Sequence, residues 1–313
     1  MGDTRISDVE RGQGGFRSGF VALVGRPNAG KSTLLNALLG QKVAITSSTP
    51  QTTRHRLCGI LNRDDSQIVF VDTPGLHKPI DALGEEVNRS ALHAISDVDI
   101  ICLLIDSEKP IGTGDTWVAD LVAGAPAQTI RILVFTKTDL IDSEHYDRQL
   151  ARVEGLGVFD DIVALSAKDH YNLDAFIDVL LSHLGAGPRW FPEDMTTDQS
   201  FEVMIAEFIR EKVLLNTRDE VPHATGVVIE DIEQDIDANL TLIHAIIYIE
   251  RESQKGIVIG KGGSMIKRIG ESARIDLERL LGTRVHLDLR VKVKKDWRRD
   301  GAQIRRFGYG EGL

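Results

Sequence analysis

The sequence predicts an α/β domain with a mainly parallel sheet, followed by a smaller α+β domain. Three observations carry that prediction. From Phe20 to about Leu184, short apolar runs alternate with helix-length segments. The alternation stops at Gly185-Ala186-Gly187-Pro188, a turn-forming stretch. The charge balance then reverses. Residues 251–313 carry 16 Lys and Arg against 8 Asp and Glu, whereas the rest of the chain carries 21 against 39.

In the first domain the apolar runs are Phe20–Val24, Ile68–Val71, Ile100–Ile105, Ile130–Phe135 and Ile162–Leu165. Runs of this length separated by helices read as strands buried on both faces. His55–Leu61 adds a strand at the sheet edge. In the second domain, Phe201, Met204, Ile205 and Phe208 have helical spacing. Thr225–Ile229 and Leu242–Ile249 read as strands joined by an acidic loop. Ile266, Ile269, Ala273, Leu277 and Leu280 then mark an amphipathic helix. From Val285 to Val293, apolar residues alternate with mostly basic ones, a half-buried strand with an open basic face. The expected boundaries are a flexible tail over 1–18, the first domain over 19–184, a linker over 185–199, the second domain over 200–295 and a basic tail over 296–313.

Composition narrows the class. A chain of 313 residues can build two ordinary cores. No apolar run approaches the roughly 20 residues that cross a bilayer, and the polar N-terminus has no signal-peptide pattern. Two cysteines, Cys58 and Cys102, sit far apart in no ligand spacing. That fits a reducing cytoplasm rather than a disulfide scaffold or zinc site; Cys102 reads as core. The net charge of −10 hides an acidic body and a basic end, as expected if one domain meets a polyanion.

Gly25-Arg26-Pro27-Asn28-Ala29-Gly30-Lys31-Ser32 follows an apolar strand and opens a helix, the context a P-loop requires. Its glycines let backbone N–H groups converge on phosphate oxygens at a helix N-terminus. Lys31 is placed to reach the outer phosphates and Ser32 to ligate magnesium. Such a match arises by chance in about one chain of this size in a hundred.

Asp72-Thr73-Pro74-Gly75 closes the next strand. There Asp72 can hold magnesium through water, and the Gly75 amide can meet the γ-phosphate. Thr136-Lys137-Thr138-Asp139 closes another. The Asp139 carboxylate can accept two hydrogen bonds from guanine, and a site built this way rejects adenine by roughly 10⁴-fold or more. Ser166-Ala167-Lys168 can bring backbone N–H groups to the guanine oxygen. Together the motifs imply GTP binding with slow, magnesium-dependent hydrolysis.

These four elements resemble the G domain of translation-factor-class GTPases. Pro50-Gln51-Thr52-Thr53-Arg54-His55 resembles the first switch of the Era/TrmE/septin-like superfamily. By that resemblance Thr53 is the switch threonine that meets magnesium, with Thr52 as the alternative. Two positions depart from the pattern. Thr136 stands where an Asn usually ties the guanine loop to the P-loop, which predicts reduced nucleotide affinity. Leu76 follows the DxxG glycine and cannot polarise water as the Gln of Ras-like proteins does. His77, next along, could do so only with the right geometry. In related GTPases an Asn at the position of Asn28 helps coordinate potassium, which can stabilise transition-state charge. The expected catalytic set is therefore Lys31, Asn28, Thr53 and Gly75.

Gly260-Lys261-Gly262-Gly263 is weak alone, because about three GxxG matches arise by chance with this glycine content. Its setting strengthens it: a helix follows, then the basic strand. The order helix, strand, strand, helix, GxxG, helix, strand resembles a type II KH domain, whose loop clamps single-stranded nucleic acid. Lys261, Lys267 and Arg268 supply positive charge beside the loop.

From about Gly19 to Tyr309 the chain resembles the Era family of bacterial RNA-binding GTPases. The resemblance includes Phe191-Pro192-Glu193-Asp194 and the end from His286; Arg290 departs from it, standing where an aromatic is usual. It implies binding to the 3′ end of small-subunit ribosomal RNA, assistance in assembling that subunit, and peripheral contact with the inner membrane face. A monomer is expected. The rival reading is a GTPase switch in cell-cycle or membrane signalling, with RNA binding secondary.

Overall fold

The computed structural model describes residues 15–49, 52–54, 56–76, 81–307 and 309. Most of the expected N-terminal tail, His77 and part of the first switch lie outside these residues. The first domain runs β1 (Arg17–Gly25), α1 (Lys31–Leu39), β2 (Leu57–Asn62), β3 (Ser66–Asp72), α2 (Ala82–Ser96), β4 (Ile100–Asp106), α3 (Thr113–Ala123), β5 (Ile130–Thr136), α4 (Ser143–Leu150), β6 (Asp161–Ala164) and α5 (Leu173–His183). Its sheet has the order β2-β3-β1-β4-β5-β6, and only β2 is antiparallel to its neighbour.

Successive side chains of a strand point to opposite faces, so each central strand feeds two cores. Val21 and Leu23, Ile100, Cys102 and Leu104, and Ile132 and Val134 pack on the face covered by α1 and α5. Ala22 and Val24, Ile101, Leu103 and Ile105, and Leu133 and Phe135 pack on the other face with α2 and α3. This explains why the strands read as continuous apolar runs. β1 begins at Arg17, so residues assigned to the tail, Arg17 and Ser18, belong to the sheet.

Residues 185–199 form a strap along the antiparallel edge. Thr197 bridges Gly59, and Ile60 N donates to Thr196 O. The buried Gln67 accepts from Trp190 N at 2.7 Å and Phe191 N at 3.0 Å. Covering an edge strand this way removes a site for stray pairing.

The second domain comprises α6 (Phe201–Asn216), α7 (Val221–Ala224), β7 (Gly226–Asp235), β8 (Leu240–Ile249), α8 (Glu252–Ile259), α9 (Ser264–Leu281), β9 (Arg284–Val293) and α10 (Gly301–Arg306). β7 is antiparallel to β8, and β9 is parallel to it at the other edge. Two expectations need correction. Most of the acidic stretch read as a loop is strand: β7 continues through Asp235 after a bulge between Ile229 and Asp231. An outer strand with a solvated face accommodates Glu230, Asp231 and Glu233 without burying charge. The basic tail over 296–313 is also folded as far as the description reaches. Trp297, Ile304, Phe307 and Tyr309 are buried against Leu83 and Val87 of α2. These apolar residues lie among arginines, where no simple period reveals them.

Candidate functional site

The carboxyl ends of the parallel strands meet at one rim of the sheet, where ligands bind in open α/β folds. The P-loop joins β1 to α1. Gly30 has φ 92°, Asn28 φ 66°, and the chain curls so that α1 opens at Lys31. A cavity of about 340 Å³ lies over this loop, lined by Pro27, Asn28, Gly30, Lys31, Ser32, Thr53, Gly75 and Lys137, among others. A Cβ at Gly75 would stand 2.7 Å from Pro27 Cα, so only glycine permits this approach of the β3 loop to the P-loop.

The three expected magnesium residues converge. Ser32 Oγ donates to Asp72 Oδ2 at 2.7 Å and lies 2.8 Å from Thr53 Oγ1. Ser32 has one proton, so Thr53 is the donor in the second bond. Thr52 turns elsewhere: its hydroxyl donates to Thr49 O at 2.6 Å. Geometry therefore favours Thr53 between the two alternatives. Asp72 is fully buried, and its Oδ1 has no hydrogen-bond partner. Leaving a buried acceptor unsatisfied costs about 1–3 kcal/mol; a cation-bound water would satisfy it. Among the described residues no group of three or more His, Cys, Asp or Glu side chains could hold a metal. Magnesium needs none here, because it takes one or two carboxylates with waters and nucleotide phosphates.

Burial pushes the Asp72 carboxyl up to about 6, opposed by the nearby Lys31 ammonium. Burial likewise pushes Lys31 down to about 8, opposed by Asp72. Lys31 Nζ donates to Gly25 O at 3.2 Å and Arg26 O at 3.1 Å, folded back on its own loop. An arriving phosphate offers this desolvated ammonium a full counter-charge.

At the base end, Ser166 Oγ donates to Asp139 Oδ1 at 2.7 Å. That bond orients the carboxylate and leaves it with lone pairs for guanine. A hollow of about 610 Å³ beside it is lined by Thr138, Asp139, Ser166 and Tyr171, among others. Ala167 is partly buried and Lys168 exposed. Thr136 keeps a contact between the two loops. Its hydroxyl lies 2.8 Å from Ala29 O and 3.1 Å from Ile105 O, tying the guanine loop to the P-loop. Thr73 is buried and bonded to Leu23 O at 2.8 Å, and Leu76 is buried in the core beside Ala22 and Val24. Leu76 thus acts as an anchor and faces no water.

Two residues escaped the sequence reading. Asp106 accepts from Lys137 Nζ at 2.6 Å, fixing a lysine that lines the cavity over the P-loop, and Lys109 lines the same cavity. Asp106 ends β4 as Asp72 ends β3; a carboxylate closing a buried strand was the available signal.

The GxxG loop joins α8 to α9. Gly260, Gly262 and Gly263 all have positive φ, at 74°, 60° and 80°. Nothing lies within 4 Å of a Cβ built at Gly262 or Gly263, so the backbone is open to a ligand. Lys261, Lys267 and Arg268 are exposed around it. Lys267 meets Glu271 only at 3.9 Å, with both largely solvated. β9 alternates as expected, with Arg284, His286, Arg290 and Lys292 exposed. Arg290 pairs with Asp288 at 3.1 Å.

Comparison with known proteins agrees with this geometry. A family model described as 50S ribosome-binding GTPase matches residues 20–137, and a KH domain model matches residues 220–298. The chain is 48% identical to the GTPase Era of Mycolicibacterium smegmatis over 296 residues, covering 94% of this chain and 99% of that protein. Against the GTPase Era of Mycobacterium tuberculosis it is 48% identical over 297 residues, with the same coverage. Among solved structures it is similar to Era in complex with MgGDPNP and nucleotides 1506–1542 of 16S ribosomal RNA. The TM-score is 0.90 at 38% identity, over 94% of this chain and 99% of that one. An Aquifex aeolicus Era variant bound to GDP·AlF4− superposes with a TM-score of 0.89 at 37% identity and the same coverage. With a P-loop, DxxG turn and guanine loop on one rim and a KH domain behind them, the chain is a GTPase that belongs to the Era family.

Proposed function

We propose that this GTPase is a nucleotide-controlled RNA-binding protein acting on small-subunit ribosomal RNA during assembly of that subunit. The observation that carries the reading is the exposed GxxG loop on a domain packed directly against the switch segments of the G domain. The Era structure that contains both MgGDPNP and a 16S fragment supports it.

In this reading the P-loop amides and Lys31 hold the phosphates, Asp139 and the Ser166–Lys168 loop hold guanine, and Ser32, Thr53 and, through water, Asp72 would hold magnesium. Magnesium, when bound, neutralises charge on the β- and γ-phosphate oxygens. Gly75 brings its amide to the γ-phosphate. No side chain at position 76 orients water, so turnover is slow. Asn28 Nδ2 donates to Ser48 O at 2.7 Å, which leaves Oδ1 as its cation ligand. Potassium held there is expected to raise turnover over sodium by about tenfold. Steady-state rates in the two salts check this, and equal rates, or full stimulation retained in Asn28→Ala, remove the potassium role.

The test of the whole reading is fluorescence anisotropy with a labelled single-stranded RNA. Affinity is expected to be higher with a non-hydrolysable GTP analogue than with GDP. Equal affinity would leave two independent modules. No salt-sensitive binding in either state would favour the signalling reading. No described helix is long and apolar enough to cross a membrane. Cytoplasmic monomers touching the inner membrane face peripherally are expected from the family resemblance, and co-sedimentation with anionic vesicles tests that contact.

A further inference from the structure

Thr53 is flanked by two contacts with the other domain. On one side, Arg210 of α6, fully buried and oriented by Glu207 at 2.6 Å, donates to Thr52 O. On the other side, the Arg54 side chain leaves the G domain altogether. It is 1% exposed. Its Nη1 donates to Thr225 O at 2.7 Å, and its Nη2 donates to His223 O at 2.9 Å and reaches Pro222 O at 3.4 Å. These carbonyls lie at the C-terminal end of the short helix α7, where Pro222 O also accepts from Thr225 N at 3.4 Å. The guanidinium also lies 5.7 Å from the Trp297 ring centroid and 5.3 Å from that of Tyr309, whose hydroxyl bonds it.

The described segment before Thr53 is held the same way, at residues 42, 45 and 46. Glu211 Oε1 accepts from Thr46 N at 2.9 Å. Lys42 bridges Glu211 and, at 2.8 Å, Asp276 of α9. Ile45 is buried in the second domain's own core with Ile205, Phe208 and Ile269.

A switch loop ordered only by nucleotide must lose its conformational entropy each time the triphosphate binds. Here the second domain orders it in advance, and Thr53 Oγ1 already lies beside Ser32. A buried guanidinium is costly unless its donors are met; here Nε has no partner, and the carbonyls that meet both terminal nitrogens all come from beyond residue 220. We infer that Arg54 is the positioning residue for Thr53, and that the C-terminal domain, gripping it, is a working part of the GTP site. The inference rests on reading Thr53 as the magnesium-facing threonine. By reciprocity, anything that shifts α7 or the Trp297–Tyr309 cluster shifts preference between GTP and GDP.

The test compares affinities for a non-hydrolysable GTP analogue and for GDP, with magnesium, in the full-length chain. Thr53→Ala lowers analogue affinity relative to GDP. Arg54→Lys keeps the charge but cannot serve three carbonyls and two rings, and lowers the same ratio by about tenfold. GDP affinity stays unchanged. The double variant loses nothing further, because Arg54 acts through Thr53. Tyr309→Phe, which removes only a hydroxyl, shifts the ratio in the same direction by a smaller factor and serves if Arg54→Lys does not fold. An unchanged ratio in Tyr309→Phe and in any folded Arg54→Lys, or additive losses in the double variant, overturns the inference. An unchanged ratio in Thr53→Ala overturns the magnesium reading instead.

Discussion

Asp139→Asn is expected to weaken GTP binding by about 10⁴-fold and to improve binding of xanthosine triphosphate. The carboxylate offers only acceptors, and guanine presents two donors to it, at N1 and the exocyclic amine. An amide in its place turns one acceptor into a donor, so a donor faces a donor in a desolvated site. Xanthine carries an oxygen where guanine carries the amine, which restores a complementary pair. Ser166 Oγ, 2.7 Å from Asp139 Oδ1, can still hold the amide oxygen, so the side chain keeps its place. Calorimetry with both nucleotides measures the exchange. Equal GTP affinity in wild type and variant would show that this loop does not read the base.

Replacing Lys261 and Gly262 together with Asp is expected to lower RNA affinity by at least about 100-fold at moderate salt, and to leave GTP affinity unchanged. Single-stranded RNA binding falls with salt with a slope of about −0.7 per phosphate neutralised. The variant removes one cation and puts two anions where phosphates must come close. The strain it adds at Gly262 is local to the loop. Gly262 has φ 60°, a conformation Asp visits among the few side chains that do. Its Cβ would meet nothing within 4 Å. Lys261 is exposed. RNA anisotropy over a salt series, with GTP affinity as the control for folding, reads the effect. Unaltered RNA affinity would move the binding surface away from the loop.

Much of the candidate site was legible in the sequence because its chemistry is local. A P-loop is a strand end, eight residues and a helix start. Its spacing alone aims backbone N–H groups at phosphate, whatever packs around it. The same holds for Asp72–Gly75 and Thr136–Asp139, each closing a buried strand. The GxxG loop needed its flanking elements but nothing distant. The continuous apolar runs also marked strands buried on both faces, hence a parallel sheet.

The resemblance put Thr53 ahead of Thr52, but the residues by themselves could not separate them, because neighbouring threonines differ only in which way the loop turns them. That turn depends on Arg210 and on the carbonyls of α7, more than 150 residues away. That Thr136 still reaches the P-loop was not legible either, since a hydroxyl can make this contact only if Ala29 O comes within its short reach. The ordered end around Trp297 and Tyr309 escaped notice for a related reason. Its apolar residues fill a socket made by α2 and the second domain, and they follow no period of their own. By itself, then, the sequence determined the fold class and the phosphate, guanine and GxxG loops, because those depend on spacing within a few bonded turns. Only tertiary packing decided which threonine faces the P-loop serine and how the two domains are joined, because those contacts depend on surfaces that meet only after both domains have folded.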